Sequence, residues 1–300
     1  MLHLPSSFSG LRLGGACLLL AGVVGVAAGC HKRIEFEYID EEEESQSVVV
    51  QTDENGLESA LPAGADLGVY LVGGDGNVSL SHVLVGEDGT AVLPAVAAGE
   101  SLIVYSPYQE DWGVEAYYSN PVFAVAQDQS TAEAYASSDL MMGVYSPETR
   151  AEGPEITFSH MLSKIAVNII DDIGLSDLNK VEVSLVGAYT SVTVDLPHQE
   201  VRTVEIRRSD IRMYSHTASD WRISSLAIVA PHDLVAATPL VSVNLYGDHP
   251  QVFLLPEDVH LAGGSTYSVN IRLTQQGLIP DGWSITDWDD QGENYLYPDM

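Results

Sequence analysis

Short runs in which apolar and polar residues alternate, broken by glycine- and aspartate-rich turns, are what most limits the folds open to this 300-residue chain. Successive side chains on a strand point to opposite faces of a sheet, so a period of two buries one face and wets the other. Ile165-Ala166-Val167-Asn168-Ile169, Val181-Glu182-Val183-Ser184-Leu185, Val192-Thr193-Val194-Asp195-Leu196, Val241-Ser242-Val243-Asn244-Leu245 and Tyr267-Ser268-Val269-Asn270-Ile271-Arg272-Leu273 all follow it. Upstream, Leu67–Val72 leads into Gly73-Gly74-Asp75-Gly76-Asn77, and His82–Val85 leads into Gly86-Glu87-Asp88-Gly89 ahead of Thr90–Leu93, so two hairpins are expected. No apolar pattern sustains three helical turns. The expectation is an all-β protein of two antiparallel β-sandwiches in tandem.

Charge places the division between them. Lys plus Arg number 12 against 43 Asp plus Glu, a formal charge of −31. Residues 34–149 hold 22 acids and no base, whereas residues 150–300 hold 21 acids and 9 bases, giving −22 and −12. The step falls beside the polar, proline-flanked stretch Ser146–Pro154, which reads as a linker. The expected organisation is a leader over 1–29, an acidic segment over 30–46 with the solvated run Glu41–Glu44, and domains over 47–148 and 149–300. So negative a chain repels phosphate backbones, which excludes nucleic acid as a partner.

Arg12 precedes the apolar, small-residue stretch Leu13–Gly29, which ends at Cys30 and the polar His31-Lys32-Arg33. That order is a secretory leader. Ala27-Ala28-Gly29-Cys30 resembles a lipobox, with Ala27 where Leu is usual, so Cys30 is expected to carry a diacylglycerol and to begin the mature chain. The alternative, a retained membrane anchor, needs about 20 apolar residues, and this stretch is slightly short for that. Cys17 lies inside the leader, so the mature chain has no disulfide, and no cofactor beyond the lipid on Cys30 is expected.

Signs of catalysis are thin. No Gly-rich phosphate loop, Gly-x-Ser-x-Gly elbow or zinc-protease His pair occurs. Ser159 and His160 are adjacent, and neighbours on a strand face opposite ways, so they read as a hydrogen-bonded histidine in a sheet and not as a nucleophile with its base. Asp287, Asp289, Asp290 and Gly292 have part of a calcium-loop spacing, but the position that needs a bidentate Glu is Pro298. One loop stands out. Tyr105–Trp112, continuing to Tyr117 and Tyr118, gathers aromatics among prolines and acids, and Tyr108, Trp112, Tyr117 and Tyr118 are candidate contacts for a glycan or protein ligand. The competing reading makes these rings core.

Several blocks in order resemble the fimbrillin family of bacterial lipoproteins. They are Ala98-Gly99-Glu100 and Tyr105-Ser106-Pro107-Tyr108, then Gln127–Gly143 with its Gln-rich approach to Ser138-Asp139-Leu140, then Phe158-Ser159-His160-Met161-Leu162-Ser163-Lys164. Ala227–Pro231, Leu261–Tyr267 and a closing Ile285-Thr286-Asp287-Trp288 follow. The resemblance implies transthyretin-like sandwiches and a surface-exported pilus subunit with no enzymatic activity. Its implied partners are other pilin subunits, joined by donor-strand exchange, and the outer membrane, reached through the lipid. A strand from one subunit would complete the open sheet of the next. It further implies that a trypsin-like protease opens the acceptor groove by removing an N-terminal strand after Arg or Lys. Here the chain departs from the family, because Lys32 and Arg33 are the only bases upstream of Arg150 in the mature chain. A cut there leaves the strand candidates Ile34–Ile39 and Ser47–Gln51 attached, so either another protease acts or the subunit keeps its strand as an anchor or accessory component. The alternative to a pilus subunit is a monomeric, lipid-anchored adhesin or glycan-binding module. Asn294–Tyr297 alternates weakly and is a candidate donor segment.

Overall fold

A computed structural model describes residues 45–52, 61, 64–87, 90–146, 155–219, 222–245 and 250–288. The leader with Cys17 and Cys30, the bases Lys32 and Arg33, Ile34–Ile39, Glu41–Glu44, most of the linker (147–154) and Asn294–Tyr297 lie outside the described residues.

The first half contributes β1 (Ser45–Thr52), β2 (Asp66–Val72), β3 (Val78–Leu84), β4 (Thr90–Pro94), β5 (Ser101–Ser106), a short β6 (Val122–Ala124), β7 (Met141–Tyr145) and β8 (Glu155–His160). Two helical turns, α1 (Ala116–Ser119) and α2 (Ala132–Ala136), flank β6, and neither exceeds five residues. Thr131 caps α2, its hydroxyl accepting from the Ala134 N–H at 3.2 Å. The strands form a seven-stranded sheet in the order β3-β2-β5-β7-β8-β1-β4. Only two residue pairs, Met141 with His160 and Met142 with Ser159, join β7 to β8, so the sheet folds over at that seam. Its two limbs then face each other across a core of Leu67, Val69, Leu102 and Val104 against Ala91, Leu93, Ile156 and Phe158.

The second half supplies β9 (Ser163–Asp171), β10 (Val181–Tyr189), β11 (Ser191–Asp195), β12 (Glu200–Thr203), β13 (Arg208–Arg212), β14 (Tyr214–Ser219), β15 (Arg222–Val229), β16 (His232–Leu234), β17 (Pro239–Leu245), β18 (Gln251–Leu254), β19 (Val259–Leu261), β20 (Ser265–Thr274) and β21 (Gly277–Asp287). They assemble as β13-β10-β17-β18, β14-β15-β9-β20-β21 and the pair β16-β19, while β12-β11 takes β6 from the first half as its third strand. The alternating segments of the sequence fall on β9, β10, β11, β17 and β20. Among the described residues the protein is all-β.

One of the two expected hairpins is corrected. Leu67–Val72 does form a hairpin with the strand after Gly76, Val72 lying opposite Val78. His82–Val85 and Thr90–Leu93 do not, because β4 leaves β3 and pairs with β1 on the other limb. Alternation shows which residues face inward but not which strand lies alongside. Pairing between the strands is mostly antiparallel, as expected, with β1 parallel to β8 and β20 parallel to β9. Parallel neighbours need long crossovers, and here the chain between β9 and β20 builds most of the second half.

β5 shows how the layers stack. Leu102 to Tyr105 are all buried, but Leu102 and Val104 enter the first core whereas Ile103 and Tyr105 enter a second. That second core also contains Tyr70, Trp112, Phe123, Val192, Val194 and Ile228, so it draws on both halves of the chain. A strand buried on both faces reads as a continuous apolar run, which is what Leu102-Ile103-Val104-Tyr105 is.

Candidate functional site

The seat of β1 is the first candidate site. This strand sits inside a sheet, antiparallel to β4 with Val48 opposite Ala91 and Gln46 opposite Leu93, and parallel to β8 with Val50 opposite Ile156 and Thr52 opposite Phe158. Ala91, Leu93, Ile156 and Phe158 are all at most 1% exposed. Taking β1 away would leave two facing ladders of N–H and C=O groups beside this apolar floor. Such edges recruit another strand, because an unpaired, desolvated backbone group costs about 1–3 kcal/mol. The sequence candidate Ser47–Gln51 falls within β1.

The aromatic loop resolves into two populations. Trp112, offered above as a ligand contact, is 2% exposed and packs on Tyr105 with ring centroids 4.9 Å apart. Its ring is core, so that expectation is corrected. Tyr70 and Tyr105 stack beside it at 5.8 Å, and burial pushes the Tyr70 hydroxyl up to about 12 and Tyr105 further. Gly68 makes room for the Tyr105 ring: a Cβ there would stand 2.1 Å from it. Tyr117 is half-buried, its pKa raised by burial, and meets the exposed Tyr118 edge-on at 5.0 Å. Tyr118 is 64% exposed and donates to the Gly76 carbonyl at 3.1 Å. Tyr108 lies on the opposite flank, stacked on His82 at 4.1 Å, with the His82 Nε2 2.8 Å from Asp66. The four candidates therefore do not form one binding surface.

Two arrangements escaped the sequence reading, although both lie in its family-like blocks. Gln129 is fully buried, and its side-chain amide donates to the Ile228 carbonyl at 2.8 Å while accepting from the Ile228 N–H at 2.8 Å. It thus acts as a single residue of strand along β15. On either side the backbone of residues 127–129 pairs with Arg212, and Asp128 is held below the usual carboxylate range by hydrogen bonds from Ser130. The second arrangement ties down the C-terminal end of β21. His160 stacks on Trp288 at 4.2 Å and its Nδ1 lies 2.9 Å from Asp139, while the buried Lys164 ammonium sits 4.6 Å from the indole centroid and donates to the Trp288 carbonyl at 3.2 Å. Asp139, the pair His160 and Lys164, and Trp288 come from three different family-like blocks. No sequence signal placed them together, since up to 149 residues separate them. Ser159 is exposed, and His160 is engaged as described.

No group of three or more His, Cys, Asp or Glu side chains suited to a metal ion occurs among the described residues. Asp289, Asp290 and Gly292 lie outside them. The chemistry on view is backbone pairing and packing.

Comparison with known proteins follows the same lines. A family model described as fimbrillin-like matches residues 70–288. A comparison with curated proteins found no match. Among solved structures, a candidate cell adhesion protein from Bacteroides ovatus aligns at 16% identity over 81% of this chain and 96% of its own, with a TM-score of 0.60. Another from Bacteroides uniformis aligns at 19% identity over 76% of this chain and 93% of its own, with a TM-score of 0.56. At such identities the likeness concerns the fold.

Proposed function

We propose, from the premise that this chain belongs to the fimbrillin-like family, that it is a fimbrial subunit which keeps its first strand and serves as an anchor or accessory component. Membership carries a fimbrial or adhesin role, structural and not enzymatic. The finer reading rests on one observation: β1 occupies the middle of a sheet limb, and no Lys or Arg lies between residues 34 and 149 to let a trypsin-like protease release it. Cuts after Lys32 or Arg33 fall before β1, and the next base, Arg150, falls after β7. With its own strand in place the groove is filled, so the subunit does not accept a donor strand there. Other pilin subunits are its partners, and lipid on Cys30 holds it at the outer membrane. In this reading 47–148 and 149–300 act as tandem transthyretin-like domains, with β8 crossing the boundary to complete the first.

The intact mass and N-terminal sequence of the protein taken from cells test this. A lipidated chain beginning at Cys30 and containing residues 45–52 is expected. A chain beginning beyond residue 52, forming SDS-resistant ladders, would replace the anchor reading with a strand-exchanged shaft subunit.

A second reading, a lipid-anchored adhesin, draws on the exposure of Tyr118 beside Tyr117. Glycan-array binding that disappears in Tyr118→Ala would favour it, and unchanged binding would remove that surface.

A further inference from the structure

The hairpin β11–β12 has ends of opposite charge. At one end, Asp195 and Glu200 face each other across the turn. β6 runs antiparallel to β11, Thr193 opposite Val122 and the Val194 N–H donating to the Pro121 carbonyl at 2.9 Å, so α1 and the loop before it lie toward this end. The Asp195 carboxylate contributes to raising the Tyr117 hydroxyl pKa, after burial and Tyr118, which fits that placement. The loop presents Glu110, Asp111 and Glu115, all exposed, with Val114 38% exposed among them. No base anywhere in residues 34–149 is available to pair them.

At the other end, four residues along β12 and so about 13 Å away, the chain turns through Val204 to Arg207. Ile206 is the most exposed large apolar residue among the described ones, at 83%. Arg207 and Arg208 follow it, both exposed, and among the described residues neither is in an ion pair. Arg208 lies over the Tyr189 ring at 4.4 Å, which fixes its direction. Residues 202–212 hold four Arg against Glu205 and Asp210, a net positive stretch in a chain of −31. The strands bounding this turn, β12 and β13, are each the outer strand of their sheet.

We infer that the turn Ile206-Arg207-Arg208 of one molecule docks on the Glu110-Asp111-Glu115 loop of a second copy of this chain, head to tail. Patches at opposite ends of one hairpin cannot meet within a molecule, and a contact between unlike surfaces leaves a free end on each added copy, so it propagates as an open line or, where the rotation between copies closes, as a ring. Complementary charge of this kind chiefly steers and orients encounter. Net repulsion between two acidic copies is screened beyond about 8–10 Å near physiological salt, while pairs in contact are screened less. The contact does not depend on strand retention, because copies with or without β1 present both ends.

Disulfide trapping tests it in a Cys17→Ser, Cys30→Ser background. Ile206→Cys and Val114→Cys chains, mixed at low ionic strength under mild oxidation, should give heterodimers several-fold above the statistical yield. Raising salt to about 1 M, where the screening length is ~3 Å, should abolish the excess, as should Arg207→Glu with Arg208→Glu. Glu110→Arg, Asp111→Arg and Glu115→Arg on the Val114→Cys chain should then restore it. Both cysteine positions are exposed, and unchanged circular-dichroism melting curves verify the fold of each variant. Heterodimer at the statistical yield, an excess that persists in high salt, or failure of the charge swap in folded proteins would each overturn the inference, whatever N-terminus the cellular protein carries.

Discussion

The two halves of the molecule solve the same problem with different means. Residues 34–149 spend none of their charge on pairing with a Lys or Arg of their own, because they have none; the first half's ion pairs, His82 with Asp66 and His160 with Asp139, use histidines. It is held by an N-terminal strand laid into a folded-over sheet and by the packed rings of Tyr70, Tyr105 and Trp112. The second half has bases and uses them. Arg272 grips Asp172 through two bonds of 2.7 Å and Arg212 reaches Glu182 at 2.6 Å. Exposed pairs of this sort contribute only about 0–1 kcal/mol each, so the base-free half loses little stability by lacking them. What it gains is a surface without a trypsin-like cleavage site.

The comparison breaks most visibly if β1 is removed. A chain lacking residues 45–52 loses ladder bonds to both β4 and β8, worth about 0.5–1.5 kcal/mol each. Hydrogen exchange should show β4 and β8 unprotected while β9, β15 and β20 keep their protection; uniform loss across both halves would mean that they do not differ in what supports them. Next in size is Gln129→Ala, which strips the Ile228 N–H and C=O of their partners at about 1–3 kcal/mol per buried group. The cost should appear in urea denaturation as a lower midpoint, and Gln129→Glu should recover little because a carboxylate cannot donate to the Ile228 carbonyl.

Acid separates the halves more gently. Burial holds His216 and His232 below the ordinary histidine value of 6.5, the latter against an opposing hydrogen bond to the Ala230 carbonyl and with Arg208, Asp233 and Glu205 nearby. The unfolded chain therefore takes up protons first as pH falls. Stability from these sites is complete above 6.5 and is lost as pH drops from there toward their lowered folded values. Both residues belong to the second half, so melting followed between pH 7.5 and 5 should show a decline that His216→Gln with His232→Gln flattens. The smallest effect expected is that of Arg272→Gln, a solvent-exposed partner of Asp172, a barely lowered melting temperature whose difference from the parent fades in high salt.

Much of this was legible in the residues. Period-two segments located β9, β10, β11, β17 and β20, because alternation is a direct record of which face is wet. The run Leu102–Tyr105 was harder: continuous burial has no period, and only the arrangement of layers shows that its two faces serve different cores. The aromatic loop was ambiguous for a related reason. Tyr and Trp suit both cores and contact surfaces, and composition could not separate the buried Trp112 from the exposed Tyr118. Gln129 gave no signal at all, because a side chain that stands in for backbone has meaning only beside the strand edge it completes.

By itself the sequence determined that the fold is all-β, that charge divides it near residue 150, and that no trypsin-like cut can fall between residues 34 and 149. These properties are local or additive, set by each residue and its near neighbours. Tertiary structure alone decided that β4 pairs with β1, that β6 joins the second half, and that Asp139, His160, Lys164 and Trp288 meet. Strand partnership is chosen by the shape and hydrogen-bonding vacancies of distant segments, which no short window of sequence contains.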